Sequence, residues 1–170
     1  DERERPFLAG PDPHSFHVPE NDILEWITDF LNETNRRKVP IHFVTHHEYV
    51  EVETSTFLSP DILDRTAQVG KAVRDAVRSV DSNVLIVGGE IGPHNGGSPP
   101  CDHSFLRWSV FGDSFWYADA LASKALNGYS LFCRQDFIGA DYGLVDCSTG
   151  TPLPDFYTGL IFDKTMGTIV

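Results

Sequence analysis

Three apolar runs in this chain each give way to a polar residue, and those residues, His46, Glu90 and Arg134, stand at a constant interval of 44 positions. The runs are Pro40 to Thr45, Val84 to Val87 and Tyr129 to Cys133. An interval of that length holds one strand, one helix and the two turns that join them. Strands separated by helices can pair only in parallel, so the repeat restricts the chain to an α/β architecture whose strands all end on one side.

The stretches between the runs carry the helical period. Ile23, Trp26, Ile27, Phe30 and Leu31 fall at i, i+3, i+4, i+7 and i+8, with Pro19 near the start and Arg36, Arg37 and Lys38 at the end, where cations suit the helix dipole. Ser59-Pro60 is a capping residue followed by a first-turn proline. Beyond it Ile62, Thr66, Val69, Val73, Ala76, Val77 and Val80 form a single stripe. Phe115 to Leu126 reads as a buried helix stopped by Asn127-Gly128, and Asp155 to Met166 as a closing helix ended by Gly167. At the front, Pro6 to Asp12 reads as a strand, and Pro13 to Val18 as a loop holding His14 and His17. Four strand–helix units with polar residues at the strand ends are half of an eight-fold (β/α)8 barrel, the fold that puts its chemistry at the C-terminal ends of its strands. An open doubly wound sheet is the alternative, but no glycine-rich phosphate loop opens a helix after the first strand.

The 170 residues carry a formal net charge of −12, which disfavours nucleic acid and anionic membrane surfaces as partners. No apolar run is long enough to span a bilayer, and no basic-plus-apolar start marks a leader, so the expectation is an internal piece of a longer chain. Cys101, Cys133 and Cys147 have no zinc-binding spacing, and Cys101 and Cys133 read as buried thiols. Asn32-Glu33-Thr34 is a glycosylation sequon, pointing to an extracellular, cell-surface or lysosomal setting.

The strand ends gather His46, His47 and Tyr49, then Glu90, Asn95, Gly96 and Gly97, then Arg134, Gln135 and Tyr142. A carboxylate among His, Tyr, Arg and Gln suits sugar hydroxyls, which need many planar donors and acceptors; a metal needs convergent ligands, and neither metal nor cofactor is expected. Only one of two adjacent strand histidines can face a given site. Read by residue type alone, Glu90 could equally cap a helix or pair with a lysine, and either histidine or Arg134 could be structural.

Four segments carry a more specific signal: Thr45-His-His-Glu-Tyr49, Val87-Gly-Gly-Glu-Ile-Gly-Pro-His-Asn-Gly-Gly97, Phe132-Cys-Arg-Gln-Asp-Phe-Ile-Gly-Ala-Asp-Tyr-Gly-Leu-Val-Asp146 and Pro152-Leu-Pro-Asp-Phe-Tyr157. From about Ala9 to Val170 they resemble, in order and spacing, the heparanase family of retaining β-glucuronidases, glycoside hydrolase family 79. The resemblance implies the C-terminal half of a (β/α)8 catalytic barrel spanning residues 1–170, without its N-terminal half or the β-sandwich that follows it. Glu90 would be the nucleophile that forms a covalent glycosyl-enzyme. His46 would be a sugar contact and Tyr49 the tyrosine beside the nucleophile. Gly96 and Gly97 would offer backbone N–H groups to the glucuronic carboxylate together with Tyr142, and Gln135 would reach a hydroxyl. The implied partner is a glucuronic-acid-containing polysaccharide or proteoglycan glycan. The other half-barrel would come from the parent chain or a second chain.

Two departures shape that expectation. A retaining glycosidase needs a second carboxylate as general acid/base. In the family it ends an earlier strand, and Asn32-Glu33 and Glu20-Asn21 lie on or beside a predicted helix. The 170 residues alone are therefore expected to be inactive, and a non-catalytic glycan-binding or structural barrel is the rival reading. The loop Gly10 to His17 has no Lys or Arg, and Glu48, Glu51 and Glu53 follow His47, so a weakly charged glucuronide is the expected substrate rather than heparan sulfate.

Overall fold

The apolar stripes become helices and the apolar runs become strands. The computed structural model of the protein describes residues 6–15, 21–50, 56–95, 108 and 110–167. Its elements are β1 (Ala9–Ser15), α1 (Asn21–Arg37), β2 (Phe43–Tyr49), α2 (Pro60–Val80), β3 (Leu85–Gly92), α3 (Asp113–Leu126), β4 (Tyr129–Arg134) and α4 (Pro154–Thr165). The sheet runs β1-β2-β3-β4 in chain order, and every neighbouring pair is parallel. A doubly wound sheet reverses its strand order part-way. This one does not, and α1 packs on α2, α2 on α3 and α3 on α4. Sequential strands under a continuous helical layer are a sector of a (β/α)8 barrel, with one sheet face toward the helices and the other toward the lumen.

Two apolar clusters fasten the helices to the sheet. Ile23, Ile27 and Leu31 of α1 and Val69, Val73 and Val77 of α2 close over Val44, Val84 and Ile86. Each fully buried aliphatic side chain there contributes about 1.5–3 kcal/mol. A second cluster joins Phe57 and Ile62 to Ile91, Trp108, Trp116, Tyr117, Ala120 and Tyr142.

The differences from the sequence reading are local. β1 continues through Pro11 and Asp12 to Ser15, although Gly, Pro and Asp mark a loop. Among the described strands it is paired on one side only, and an edge strand tolerates proline because the missing N–H leaves no ladder bond unmade there. Ser59 occupies the N-cap position of α2 with extended backbone, but its side chain makes no capping hydrogen bond. Gly128 ends α3 at φ +75°, a left-handed conformation that glycine adopts without steric cost. Cys133 is a free but exposed thiol rather than a buried one, and Cys101 lies outside the described residues.

Candidate active site

Alternation along β2 divides its side chains between the two sheet faces. Val44, His46 and Glu48 are buried against the helices, while His47 and Tyr49 reach toward Glu90. Ile86 of β3 belongs to the helix-side core, so strict alternation would send Glu90 to the helices as well. The ladder prevents this. His46 pairs with Gly88 and His47 with Glu90, leaving Gly89 without a partner on β2. The β3–β4 ladder has the same extra residue, with Gly88 opposite Phe132 and Ile91 opposite Arg134. This bulge reverses the parity of β3, so Ile91 enters the core and Glu90 faces the lumen.

At the lumen the Tyr49 hydroxyl donates a short hydrogen bond to Glu90 Oε1. Burial, with the adjoining Glu90 carboxylate, pushes the Tyr49 phenol well above its ordinary pKa, so it remains a donor. His47 Nδ1 lies 3.8 Å from the same Glu90 oxygen, and its Nε2 lies 2.9 Å from Asp12 Oδ2. His14 stacks on the Tyr49 ring, with centroids 5.4 Å apart and planes at 19°. A Cβ at Gly92 would stand 2.7 Å from Tyr49 Cε1, so glycine there lets the ring lie flat against β3. The Glu90 side chain itself is one-third exposed.

The structure does not bring His46 to Glu90. Its ring is fully buried on the helix side, hydrogen-bonded to the Tyr129 hydroxyl at 2.8 Å and within 3.3 Å of the His47 carbonyl. A carbonyl only accepts, so Nδ1 carries the proton and Nε2 accepts from Tyr129. Burial, with the Lys124 charge behind it, pushes the His46 pKa down to about 3. His47, one position on, takes the place beside the carboxylate. Glu48 also leaves the cleft: it is buried and accepts a 2.5 Å hydrogen bond from Lys124 Nζ. Burial raises the Glu48 pKa and lowers that of Lys124, each opposed by the other's charge. Glu51 and Glu53 lie outside the described residues.

Arg134 is structural. Its guanidinium, nearly fully buried, donates to Asp155 Oδ2 at 2.9 Å, to Asp113 Oδ2 at 3.3 Å and to the Tyr142 carbonyl at 2.9 Å. It thereby ties the end of β4 to the first turns of α3 and α4. Burial, and then the Asp155 charge, hold the Asp113 pKa well above the carboxylate range. Tyr142 is buried close enough for the Glu90 charge to act on its phenol, whose pKa is raised first by burial and then by Asp136, Asp141 and Glu90. Gln135 follows β4, its backbone N–H bonded to the Ile91 carbonyl. Asn95 is exposed just past β3, while Gly96 and Gly97 lie outside the described residues. No three His, Cys, Asp or Glu side chains among the described residues are placed to hold a metal.

Asp12, His14 and His47 stand around Tyr49 and Glu90 as well; the residue pattern gathered His47 with the strand ends but gave Asp12 and His14 no role. Asp12 and His14 stand in a Gly/Pro stretch that reads as a loop, and nothing in a sequence says which of two adjacent histidines the sheet turns inward.

No protein-family model matches the chain. It is 28% identical over 151 residues to heparanase-like protein 3 of Arabidopsis thaliana, covering 85% of this chain and 26% of that protein. It is 32% identical over 166 residues to heparanase of Bos taurus, covering 94% of this chain and 28% of the relative. Baicalin-beta-D-glucuronidase of Scutellaria baicalensis is 28% identical over 155 residues, 86% of this chain and 28% of its own length. The chain thus spans about a quarter of the length of these curated relatives. Among solved structures, a monomeric beta-xylosidase from Caulobacter crescentus superposes with TM-score 0.65 at 14% identity, over 95% of this chain and 34% of that one. The GH39 enzyme from Xanthomonas axonopodis pv. citri gives 0.65 at 16%, over 95% and 33%. Those two likenesses establish the barrel fold. Along the stretch it shares with its sequence relatives, the chain belongs to the heparanase family.

Proposed function

We propose that the complete protein carrying this chain is a retaining glycoside hydrolase acting on β-linked glucuronic acid, with Glu90 as its nucleophile. One observation carries the reading. A carboxylate that a strand bulge turns into the lumen of a parallel barrel has one oxygen bonded by Tyr49 while the side chain stays one-third exposed. The bonded donor holds one oxygen in place, and the other oxygen attacks the anomeric carbon. The leaving oxygen takes its proton from a second carboxylate roughly 5–5.5 Å from the nucleophile. That acid/base comes from the part of the barrel outside residues 1–170, so this chain alone is inactive. Tyr142 stands near Glu90, where a phenol can bind the sugar.

The missing βα units form the other partner. Leu85 and Leu131 are about half exposed on the strands, as are Tyr157, Leu160 and Ile161 on α4, and closure of a full barrel would cover them. The substrate is a weakly charged glucuronide rather than heparan sulfate. Among the described residues Lys and Arg lie in or immediately after helices, except Arg134, which is consumed by Asp113 and Asp155. Among the described residues a sulfated polyanion therefore finds no cation at this lumen face.

The test is a covalent glucuronide-type inhibitor applied to the complete protein, with the modified residue mapped by mass spectrometry. Labelling of Glu90 is expected, and labelling of another carboxylate overturns the assignment. No labelling and no turnover of any glucuronide would favour a glycan-binding barrel instead. Cleavage of heparan sulfate faster than of a terminal glucuronide would refute the substrate reading.

A further inference from the structure

Asp12 occupies a conformation with no evident benefit to stability. Its φ is +63°, in the left-handed region that a non-glycine residue enters at a cost. The β1–β2 ladder breaks there: Pro11 pairs with Thr45 and His14 with His47, so Asp12 and Pro13 stand opposite His46 alone. The carboxylate is 44% exposed, and an ion pair so open to water stabilises a fold very little. Its placement is nonetheless tightly determined. Oδ2 is 2.9 Å from His47 Nε2, and a Cβ on Gly89 would stand only 2.6 Å from Oδ1. The bulge of β1 therefore projects a carboxylate into the slot left by the glycine of the β3 bulge, and His47 lies between them.

We propose that Asp12 is a positioning residue that acts through His47 on Glu90. This rests on the reading of Glu90 as nucleophile. An ionised carboxylate only accepts, so the ring must present Nε2–H to Asp12. That fixes the rotation of the ring and leaves Nδ1 3.8 Å from Glu90 Oε1, too far for a hydrogen bond, so the ring bounds the carboxylate on that side and Tyr49 remains the donor to it. His47 and Tyr49 then flank the same oxygen of Glu90, and the other oxygen is left for the anomeric carbon. Without Asp12 the ring is free to flip and to exchange its two nitrogens, and the wall that confines the nucleophile against Tyr49 is lost.

The experiment uses the complete protein and four variants: Asp12→Ala, Asp12→Asn, His47→Ala and the Asp12→Ala/His47→Ala double. Asp12→Ala is expected to lower kcat on an aryl glucuronide by roughly 10–100-fold with little change in KM, the usual cost of removing the carboxylate behind a functional histidine. Asp12→Asn keeps an acceptor oxygen and should recover most of the rate. In the His47→Ala background, Asp12→Ala should cost nothing further, because the two act as one unit. Equal losses in both backgrounds, or an effect on KM alone, overturn the proposal. Long-range 15N–1H spectra of labelled histidine provide a readout that does not depend on chemistry: His47 should hold its proton on Nε2 and lose that preference in Asp12→Ala. An unchanged tautomer in that variant overturns the proposal, whereas mapping the inhibitor elsewhere than Glu90 overturns the reading beneath it.

Discussion

His47 and Glu90 face each other across β2 and β3, Nδ1 to Oε1 at 3.8 Å, because Gly89 has no partner on the neighbouring strand. If Gly89 paired with His47 in an unbroken ladder instead, the alternation of β3 would send Glu90 into the helical layer and Ile91 into the lumen. A side chain at Gly89 would meet Asp12 Oδ1 at 2.6 Å and Thr45 Cβ at 3.4 Å, so the bulge residue has to be small.

Tyr49→Phe removes the hydroxyl that donates to Glu90 and leaves the ring stacked on His14. A hydrogen bond to a charged group is worth about 1.5–3 kcal/mol, so kcat on a glucuronide should fall roughly 10–100-fold with no more than a small change in Tm. Steady-state kinetics and thermal unfolding of the complete protein measure both.

Gly92→Ala should reproduce much of that loss without touching the hydroxyl. The new Cβ stands 2.7 Å from Tyr49 Cε1 and must displace the ring from Glu90. If activity survives unchanged, the contact between Tyr49 and Glu90 is not needed for turnover.

His46→Gln separates the two histidines. His46 stands behind the sheet, so KM for the glucuronide should stay within about two-fold of the parent, given that distant side chains do not alter uniform binding. A large rise in KM would put His46 back in a sugar subsite. The variant should also flatten the acid limb of the stability curve. The pKa of His46 falls from 6.5 to about 3 on folding, so between those values the unfolded chain binds the extra proton, and stability declines as pH drops through that window. Denaturant unfolding at several pH values checks the sign.

Arg134→Met leaves Asp113 and Asp155 buried without their cation and should destabilise the protein by about 3–5 kcal/mol. Asp113→Asn should be far milder. The Asp113 carboxyl has its pKa raised on folding, so the folded state holds a proton that the unfolded state has released. Its contribution is complete below the ordinary carboxylate pKa and is lost as pH rises through the raised value. The Asn variant imitates the protonated form, and its stability should depend less on pH across that range. A loss as large as that of Arg134→Met would show that Asp113 is needed as an anion.

Lys124→Met strands Glu48 in the same way and should cost about 3–5 kcal/mol, while the double change with Glu48→Leu should return most of it. Gly70 makes room for this lysine: a Cβ there would stand 3.4 Å from Lys124 Nζ. Chemical denaturation of the single and double variants tests the coupling.

The sequence by itself determined the elements, their order and the end of the sheet at which the polar strand-end residues gather. Period-3.6 stripes and short apolar runs are local signals, and α1, α2, β2 and β4 lie within a few residues of where those signals put them. That Glu90 and Tyr49 end neighbouring strands was legible too, and the structure joins them by a hydrogen bond. Only the tertiary structure decided which side chains share a face. Side chains alternate with a period of two, so one unpaired residue in a ladder reverses everything beyond it. Gly89 in β3 and Asp12-Pro13 in β1 are such residues, and neither declares itself in composition or spacing. Ladder register therefore turned Glu90 to His47 and brought Asp12 to His47, while His46 and Arg134 lie buried on the helix side.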